Sequence, residues 1–409
     1  MSVPAAPAAT AGSAPGVDYP SDQYRFAELL TPAELLVLGK LRQVLDTQVQ
    51  PLLADYWERG EFPYQILPPL IELNLMRPAE ITCTGVEPSA LYHGFRNFEL
   101  ARTDASIVTM YNAQSGLFRT AVNRGGSPEQ VAQLDPKIQS FDFTGVFALT
   151  EPDHGSDIAR GMATQARRDG DRWVLSGTKR WIGGAFQVNV IVVFAVEDIG
   201  ESGSAVRAFL VPRESAGLTL NKIGGKTALR MMQNADITLT DVRVPESARL
   251  QNVNTFDDVA AMLRAMRSDV AWIATGATAG AYEAAVRYTT TRTQFGRPVA
   301  GYQLIQEKLA RMLANLTASL GVVVRLTQLQ AQGIYRDEDS ALAKMLTSTN
   351  LRETVALARE VCGGNGITLE TDVARFHADA EAIYSYEGTH EINALILGRA
   401  ITGLGAFVR

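Results

Sequence analysis

The period of the hydrophobic pattern changes twice along this 409-residue chain, and that constrains its fold more than any other feature. From about Tyr24 to Gln139 apolar residues recur at helical spacing. "TPAELLVLGKLRQVLDTQVQPLL" opens with Thr31 in an N-cap position, Pro32 in the first turn and Glu34 three residues after the cap. Leu35, Leu38, Leu41, Val44 and Leu45 then share one face. Between about Gly145 and Leu250 the period falls towards two. The runs "DRWVLSGTKRWIGGA", "VNVIVVFAVE", "AVRAFLVPRE" and "NADITLTDVRVPES" are short, β-rich and separated by Gly, Pro and Asp turns. From Phe256 long helical patterns return, amphipathic or apolar throughout, of the kind that bury against one another or against another subunit. The expected organisation is a flexible Ala/Pro-rich tail over 1–20, a helical domain over 21–144, an all-β domain over 145–250 and a helical domain over 251–409: an α+β multidomain chain.

Composition removes several classes of function. The net charge is −6 and no Lys/Arg run reaches five residues, so no nucleic-acid partner is expected. The longest apolar runs, such as Val190 to Val196, are too short to span a bilayer, so no membrane span is expected. Cys83 and Cys362 form no paired spacing and fit a reducing compartment. His93, His154, His377 and His390 are scattered, and no metal site is expected. The first twenty residues have no basic residue and no apolar core, and the ending "AFVR" is not of the Ser-Lys-Leu type. The expected location is cytoplasmic.

One carboxylate stands out. "YSYEGTHEIN" sets Glu387 between Tyr386 and a Gly388-Thr389 pair. A bare reading makes it a loop or helix-cap carboxylate at the surface. A carboxylate in an apolar, water-poor pocket instead has its pKa raised towards working pH and becomes a better general base. Gly388 would let backbone approach closely.

Four segments stand in a fixed order: "FALTEPDHGSD" (Phe147–Asp157), "GTKRWIGG" (Gly177–Gly184), "RTQFGRP" (Arg292–Pro298) and "GGNGI…YEGTHEINALILGRAITG" (Gly363–Gly403). Together they resemble the acyl-CoA dehydrogenase family of flavoproteins, from about residue 24 to the end. The resemblance implies that family's fold: an N-terminal helical domain, a central β-barrel domain and a C-terminal four-helix bundle. It implies FAD as cofactor and Glu387 as the catalytic base. Leu149, Thr150, Ser156 and Trp181 would lie at the flavin. Arg292, Gln294 and Phe295 would bind the pyrophosphate across a subunit interface, a guanidinium fork suiting a diphosphate. Gly363, Gly364 and Gly366 would let backbone approach the adenosine diphosphate part, and Thr389 would also contact the cofactor. Ser156, Arg267, Tyr386 and Gly388 would contact the acyl-CoA. Read without the family, Trp181 is a buried strand aromatic, Arg292 a helix-end cation, "GGNG" a helix stop and His154 a loop residue.

Departures from the family pattern carry information. Gly183 stands where many relatives have a Thr or Ser whose hydroxyl meets the flavin. Met266 stands where long-chain and isovaleryl-type members keep an alternative base, which leaves Glu387. The C-terminal segment is similar to the glutaryl-CoA dehydrogenase type. "ARTDASIVTMYNAQSGL" matches that type through Arg102, Asp104, Gln114 and Ser115, but the glutaryl-binding arginine position falls on Val108. A buried carboxylate without its cation costs several kcal/mol, which argues against a dicarboxylyl substrate. "KRWIGG" and "TALRMMQNADI" also resemble plant-type short-chain acyl-CoA oxidases. The resemblance therefore implies α,β-dehydrogenation of a short- or medium-chain acyl-CoA to the trans-2-enoyl-CoA by a homotetramer built as a dimer of dimers. Electrons would pass to electron-transferring flavoprotein. The alternatives are an oxidase passing electrons to O2, and a non-catalytic partner subunit, against which the retained Glu387 argues.

Overall fold

The computed structural model describes residues 21–83, 85–200 and 203–406; the expected tail over 1–20 and the last three residues of "AFVR" lie outside them. Eight helices come first: α1 (Pro32–Val44), α2 (Leu53–Arg59), α3 (Leu67–Glu72), α4 (Ala79–Thr82), α5 (Ala90–Thr103), α6 (Ala105–Asn112), α7 (Arg119–Gly125) and α8 (Pro128–Gln139). At α1 the reciprocal cap is in place. Glu34 N–H donates to Thr31 Oγ1 at 3.3 Å, and Thr31 N–H donates to Glu34 Oε2 at 2.8 Å. Leu38, Leu41 and Leu45 are fully buried, with Leu35 and Val44 packed beside them. Asp104 separates α5 from α6. Its extended backbone ends one helix, and its side chain accepts from Ser106 N–H at 2.7 Å to start the next. Arg375 closes over the same carboxylate as a fully buried ion pair.

The middle of the chain forms a seven-stranded sheet: β1 (Gly145–Ala148), β2 (Gln165–Asp169), β3 (Arg172–Gly183), β4 (Val190–Asp198), β5 (Ser204–Pro212), β6 (Leu218–Lys222) and β7 (Asn234–Pro245). The strand order is β1-β4-β2-β3-β7-β6, with β5 antiparallel to β4 from Val190↔Pro212 to Asp198↔Ser204. A short helix, α9 (Ile158–Gly161), links β1 to β2. The β3–β7 ladder slips twice, and the second slip lies between Lys179 and Ile182. That irregularity takes Arg180 and Trp181 out of the ladder.

Five helices complete the chain: α10 (Phe256–Thr291), α11 (Gln303–Ala331), α12 (Asp337–Val361), α13 (Val373–Ser385) and α14 (His390–Thr402). Helices α10 to α13 pack on one another and α14 lies on α12. Between α10 and α11 a two-stranded hairpin, β8 (Thr293–Gln294) and β9 (Arg297–Pro298), projects outwards. α10 approaches α5 closely because glycines face it. A Cβ on Gly276 would collide with the Phe98 carbonyl oxygen, one on Gly280 with that of Arg102, and one on Gly94 with the Trp272 indole. One expectation needs correction. α11 reaches a mean hydropathy of 1.4 over an 18-residue window, so by length and composition it is apolar enough to cross a membrane. Scanning for unbroken apolar runs misses it, because polar residues interrupt a stripe that serves packing against α10 and α12.

Candidate active site

The loop between α13 and α14 is four residues long and tightly held. Tyr386 ends α13, its N–H donating to the Ala382 carbonyl at 2.9 Å. Glu387 then takes φ 52° and Gly388 φ 98°. Two successive left-handed residues are easy for glycine but costly for glutamate, so the surroundings must enforce the turn. They do. Lys344, buried on α12, donates to the carbonyls of both Tyr386 and Gly388. Asn393 Nδ2 donates to the Gly388 carbonyl at 3.0 Å and the Thr389 carbonyl at 2.9 Å. Thr389 caps α14 by accepting from Ile392 N–H at 3.2 Å, a local task beside the cofactor contact expected of it.

The turn leaves the Glu387 residue half-buried. Its Oε2 is buried and has no hydrogen-bond partner. Burial pushes the carboxyl up to about 8; the nearby Asp269 adds to this, and Lys344 opposes it. The bare reading of a surface carboxylate therefore fails. Burial pulls the Lys344 ammonium down to about 8. Arg267 stands at the same loop, its Nε 3.8 Å from where a Cβ on Gly388 would sit and without a hydrogen-bond partner, while its Nη1 lies 3.4 Å from Asp337 Oδ1.

A second group forms at the sheet. Arg180 N–H, freed from the β3–β7 ladder, donates to the Thr150 carbonyl at 2.8 Å. Lys179 is fully buried beneath, its Nζ 2.9 Å from Glu151 Oε1 and 3.0 Å from the Leu149 carbonyl. Glu151 also accepts from the N–H groups of Ala163 and Thr164 at 2.7 and 3.0 Å. "FALTE" and "TKRW" are thus locked to each other. Trp181 is not the buried strand aromatic of the bare reading: it has φ 66° and is 51% exposed. Ser156 is exposed, and His154 pairs locally with Asp157 at 2.9 Å. Helix α6 joins the two groups. Thr109 lies by the Tyr386 phenol, and the next residue, Met110, meets the open face of Gly184.

The remaining expected residues sit elsewhere. Arg292, Gln294 and Phe295 lie at the C-terminal end of α10, with Phe295 94% exposed and at φ 52°. At ~1.5 Å per helical residue, roughly 37 Å of helix separates Arg292 from Arg267. Asn365, in the turn holding Gly363, Gly364 and Gly366, donates to the Tyr288 hydroxyl at 3.0 Å, so the glycine turn shares that distant end. Nothing within 4 Å would meet a Cβ on Gly363 or Gly364.

The residues at the sheet fit a flat, partly apolar cofactor. An exposed indole held at a strained φ stands beside the braced Leu149–Thr150 backbone, and Glu387 offers an unpartnered oxygen at the loop whose Tyr386 lies by Thr109 of α6. Sequence reading missed Lys179, Glu151 and Lys344. Lys344 sits among apolar residues of its helix, in "ALAKML", and that was the available signal; Lys179, between Thr178 and Arg180, has none.

Comparison with known proteins shows the family. Family models match the acyl-CoA dehydrogenase N-terminal domain over residues 31–142, the middle domain over 146–242 and the C-terminal domain over 256–402. The mitochondrial short-chain specific acyl-CoA dehydrogenase of Bos taurus is 32% identical over 360 residues, covering 87% of this chain and 87% of that protein. A glutaryl-CoA dehydrogenase from Mycobacterium smegmatis in complex with FADH2 superposes with a TM-score of 0.86 at 33% identity, covering 96% of this chain and 100% of that one. Butyryl-CoA dehydrogenase from Megasphaera elsdenii gives a TM-score of 0.85 at 26% identity, with 91% and 98% covered.

Proposed function

Because this chain belongs to the acyl-CoA dehydrogenase family, whose cofactor is FAD, we propose that it catalyses α,β-dehydrogenation of an acyl-CoA with Glu387 as the base. The observation that carries the assignment is the Glu387 carboxyl: forced into a left-handed turn, buried, without a partner at Oε2 and pushed up to about 8. Only the ionised form can take the α-proton, so a carboxyl raised to about 8 is a stronger base whose active fraction grows as pH rises towards that value. FAD, when bound, accepts the β-hydrogen with its electron pair. Leu149, Thr150, Ser156, Trp181 and Thr389 would hold it from this chain. The backbone N–H of Glu387 is placed by the Lys344 grip, so it can donate to the thioester carbonyl as negative charge develops there. Tyr386, Gly388 and Arg267, at the same loop, would contact the acyl-CoA.

The substrate class we favour is a short- or medium-chain acyl-CoA, in keeping with the butyryl and short-chain names of the relatives, and electron-transferring flavoprotein is the proposed acceptor. The ~37 Å between Arg267 and Arg292 supports a multimer, because one copy cannot offer both ends to a single cofactor at Glu387. A homotetramer built as a dimer of dimers would bring the exposed Phe295 hairpin and the glycine turn of one copy to the site of the next. The test is Glu387→Gln. It should keep FAD and fold yet fail to bleach with acyl-CoA under anaerobic conditions; substantial remaining turnover would sink the assignment. Admitting air to reduced wild-type enzyme separates the acceptors: slow recovery supports a dehydrogenase, fast recovery with peroxide an oxidase.

A further inference from the structure

The acyl-thioester reading leaves one buried group of side chains without a task. Helix α6 and the π-helical turn Ala113–Phe118 that continues it set Ser106, Thr109, Asn112 and Gly116 along one face. The stripe starts at the base loop, where Thr109 lies by the Tyr386 phenol. One turn on, Asn112 is 2% exposed, and neither its Oδ1 nor its Nδ2 has a hydrogen-bond partner. Next along, Gly116 makes room for two side-chain oxygens: a Cβ there would collide with Asn112 Oδ1 and come within 2.7 Å of Asp269 Oδ2.

Asp269 sits on α10 two residues beyond Arg267, close enough to Glu387 for its charge to raise that carboxyl. Burial pushes the Asp269 carboxyl itself up to about 6. Its Oδ1 lies 3.4 Å from Asn97 Nδ2, and its Oδ2 faces the Asn112 amide over Gly116. Behind Asn97 stands Arg96, 4% exposed, with its donors directed to Asn97 Oδ1 at 3.0 and 3.2 Å, and facing His93 Nδ1 at 3.1 Å and Ser115 Oγ at 3.5 Å. Asn97 thus stands between the guanidinium and the carboxylate.

A purely hydrocarbon chain laid along this stripe would seal the Asn112 amide away from water with neither its Oδ1 nor its Nδ2 partnered. Each unsatisfied group of that kind costs ~1–3 kcal/mol. A second carboxylate would meet two acceptor oxygens, with the guanidinium held back behind Asn97. An ammonium group, which has donors only, would leave Asn112 Nδ2 without an acceptor. What suits the site is a neutral group that donates to Asp269 Oδ2 or Asn112 Oδ1 and accepts from Asn112 Nδ2.

We propose that the acyl group desaturated here carries a neutral hydrogen-bonding group, a hydroxyl or carboxamide, in its distal part, recognised by Asn112 and Asp269. The inference rests on the acyl-thioester reading above and names its substrate class.

The experiment is an anaerobic flavin-bleaching titration of the full-length flavoprotein with butyryl- and hexanoyl-CoA, their 4-hydroxybutyryl and 6-hydroxyhexanoyl counterparts, and glutaryl-CoA. At one chain length or both, the hydroxyacyl thioester should bleach the flavin with a second-order rate constant about tenfold above that of its unsubstituted parent. In Asn112→Leu that ratio should fall to about one. Should the variant not fold, the wild-type ratio decides alone. A preference for the unsubstituted chain at both lengths, or for glutaryl-CoA, overturns the proposal while leaving Glu387 as base. Bleaching by none of the thioesters overturns the acyl-thioester reading and this inference with it.

Discussion

Lys344 donates to the two carbonyls that flank Glu387, those of Tyr386 and Gly388, from a helix separated from that loop by all of α13. The buried ammonium therefore holds the turn in its left-handed form and places a positive charge near the carboxyl. Lys344→Met keeps length and apolar stem but removes every donor. The expected result is a ten- to hundredfold loss of kcat at pH 7 with FAD content retained. The acid limb of the pH–rate profile should also move to higher pH, because Lys344 lowers the Glu387 pKa. A variant that loses thermal stability alone, with an unmoved limb, would make Lys344 merely structural.

The pH dependence of flavin bleaching follows from Glu387. A carboxyl pushed up to about 8 is protonated at neutral pH, so the bleaching rate should rise nearly tenfold per pH unit and level off above about 8. Stability runs the other way. The pKa is raised on folding from 4.5, so the carboxyl's contribution is intact below 4.5 and is lost as pH rises through about 8. Glu387→Gln should match the wild type in Tm near pH 4.5 and exceed it increasingly up to pH 8. Equal Tm values across that range would show that the carboxyl ionises as freely as in water.

Lys179 and Glu151 form the brace under the sheet group. Removing one partner of a buried pair leaves the other uncompensated and typically costs ~3–5 kcal/mol. Lys179→Met should lower stability by about that amount in denaturant unfolding. It should also purify with less FAD, since Leu149 loses its tie. Full flavin content in a destabilised variant would separate the brace from the cofactor site.

Close approach of α10 to α5 positions Arg267 and Asp269, and it depends on glycine. Gly276→Ala would drive a methyl group into the Phe98 carbonyl, a backbone atom that cannot swing away. A cost of ~1–3 kcal/mol or more is expected, read as a Tm several degrees lower. Gly364→Ala, where a Cβ meets nothing within 4 Å, serves as the control with little change.

Much of this protein was legible in its residues. Periodicity separates helix from strand along the chain, because burial of one face imposes spacing locally. Thr31 and Glu34 announce a helix start because the cap spans only four residues, and the left-handed turn at Glu387 is foreshadowed by the glycine that follows it. Trp181 was misjudged on the bare reading. Its exposure arises from a slip in the β3–β7 ladder, a pairing between strands some fifty residues apart that no local pattern encodes. The span-like hydropathy of α11 was missed for a related reason: its stripe makes sense only once α10 and α12 are known to cover it.

By itself, the sequence determined the order of the three layers, the helix caps and the residue types at the base and at the flavin motifs, all of which depend on neighbours within a turn or two. Only the tertiary structure decided which charges meet. Lys344 reaches Glu387 across 43 positions, Arg375 reaches Asp104 across 271, and Asn112 and Asp269 converge over a single glycine. Electrostatic energy and desolvation depend on distance in space and on what excludes water, so the raised pKa of Glu387 and the meeting of Asn112 with Asp269 belong to the fold and not to any stretch of chain.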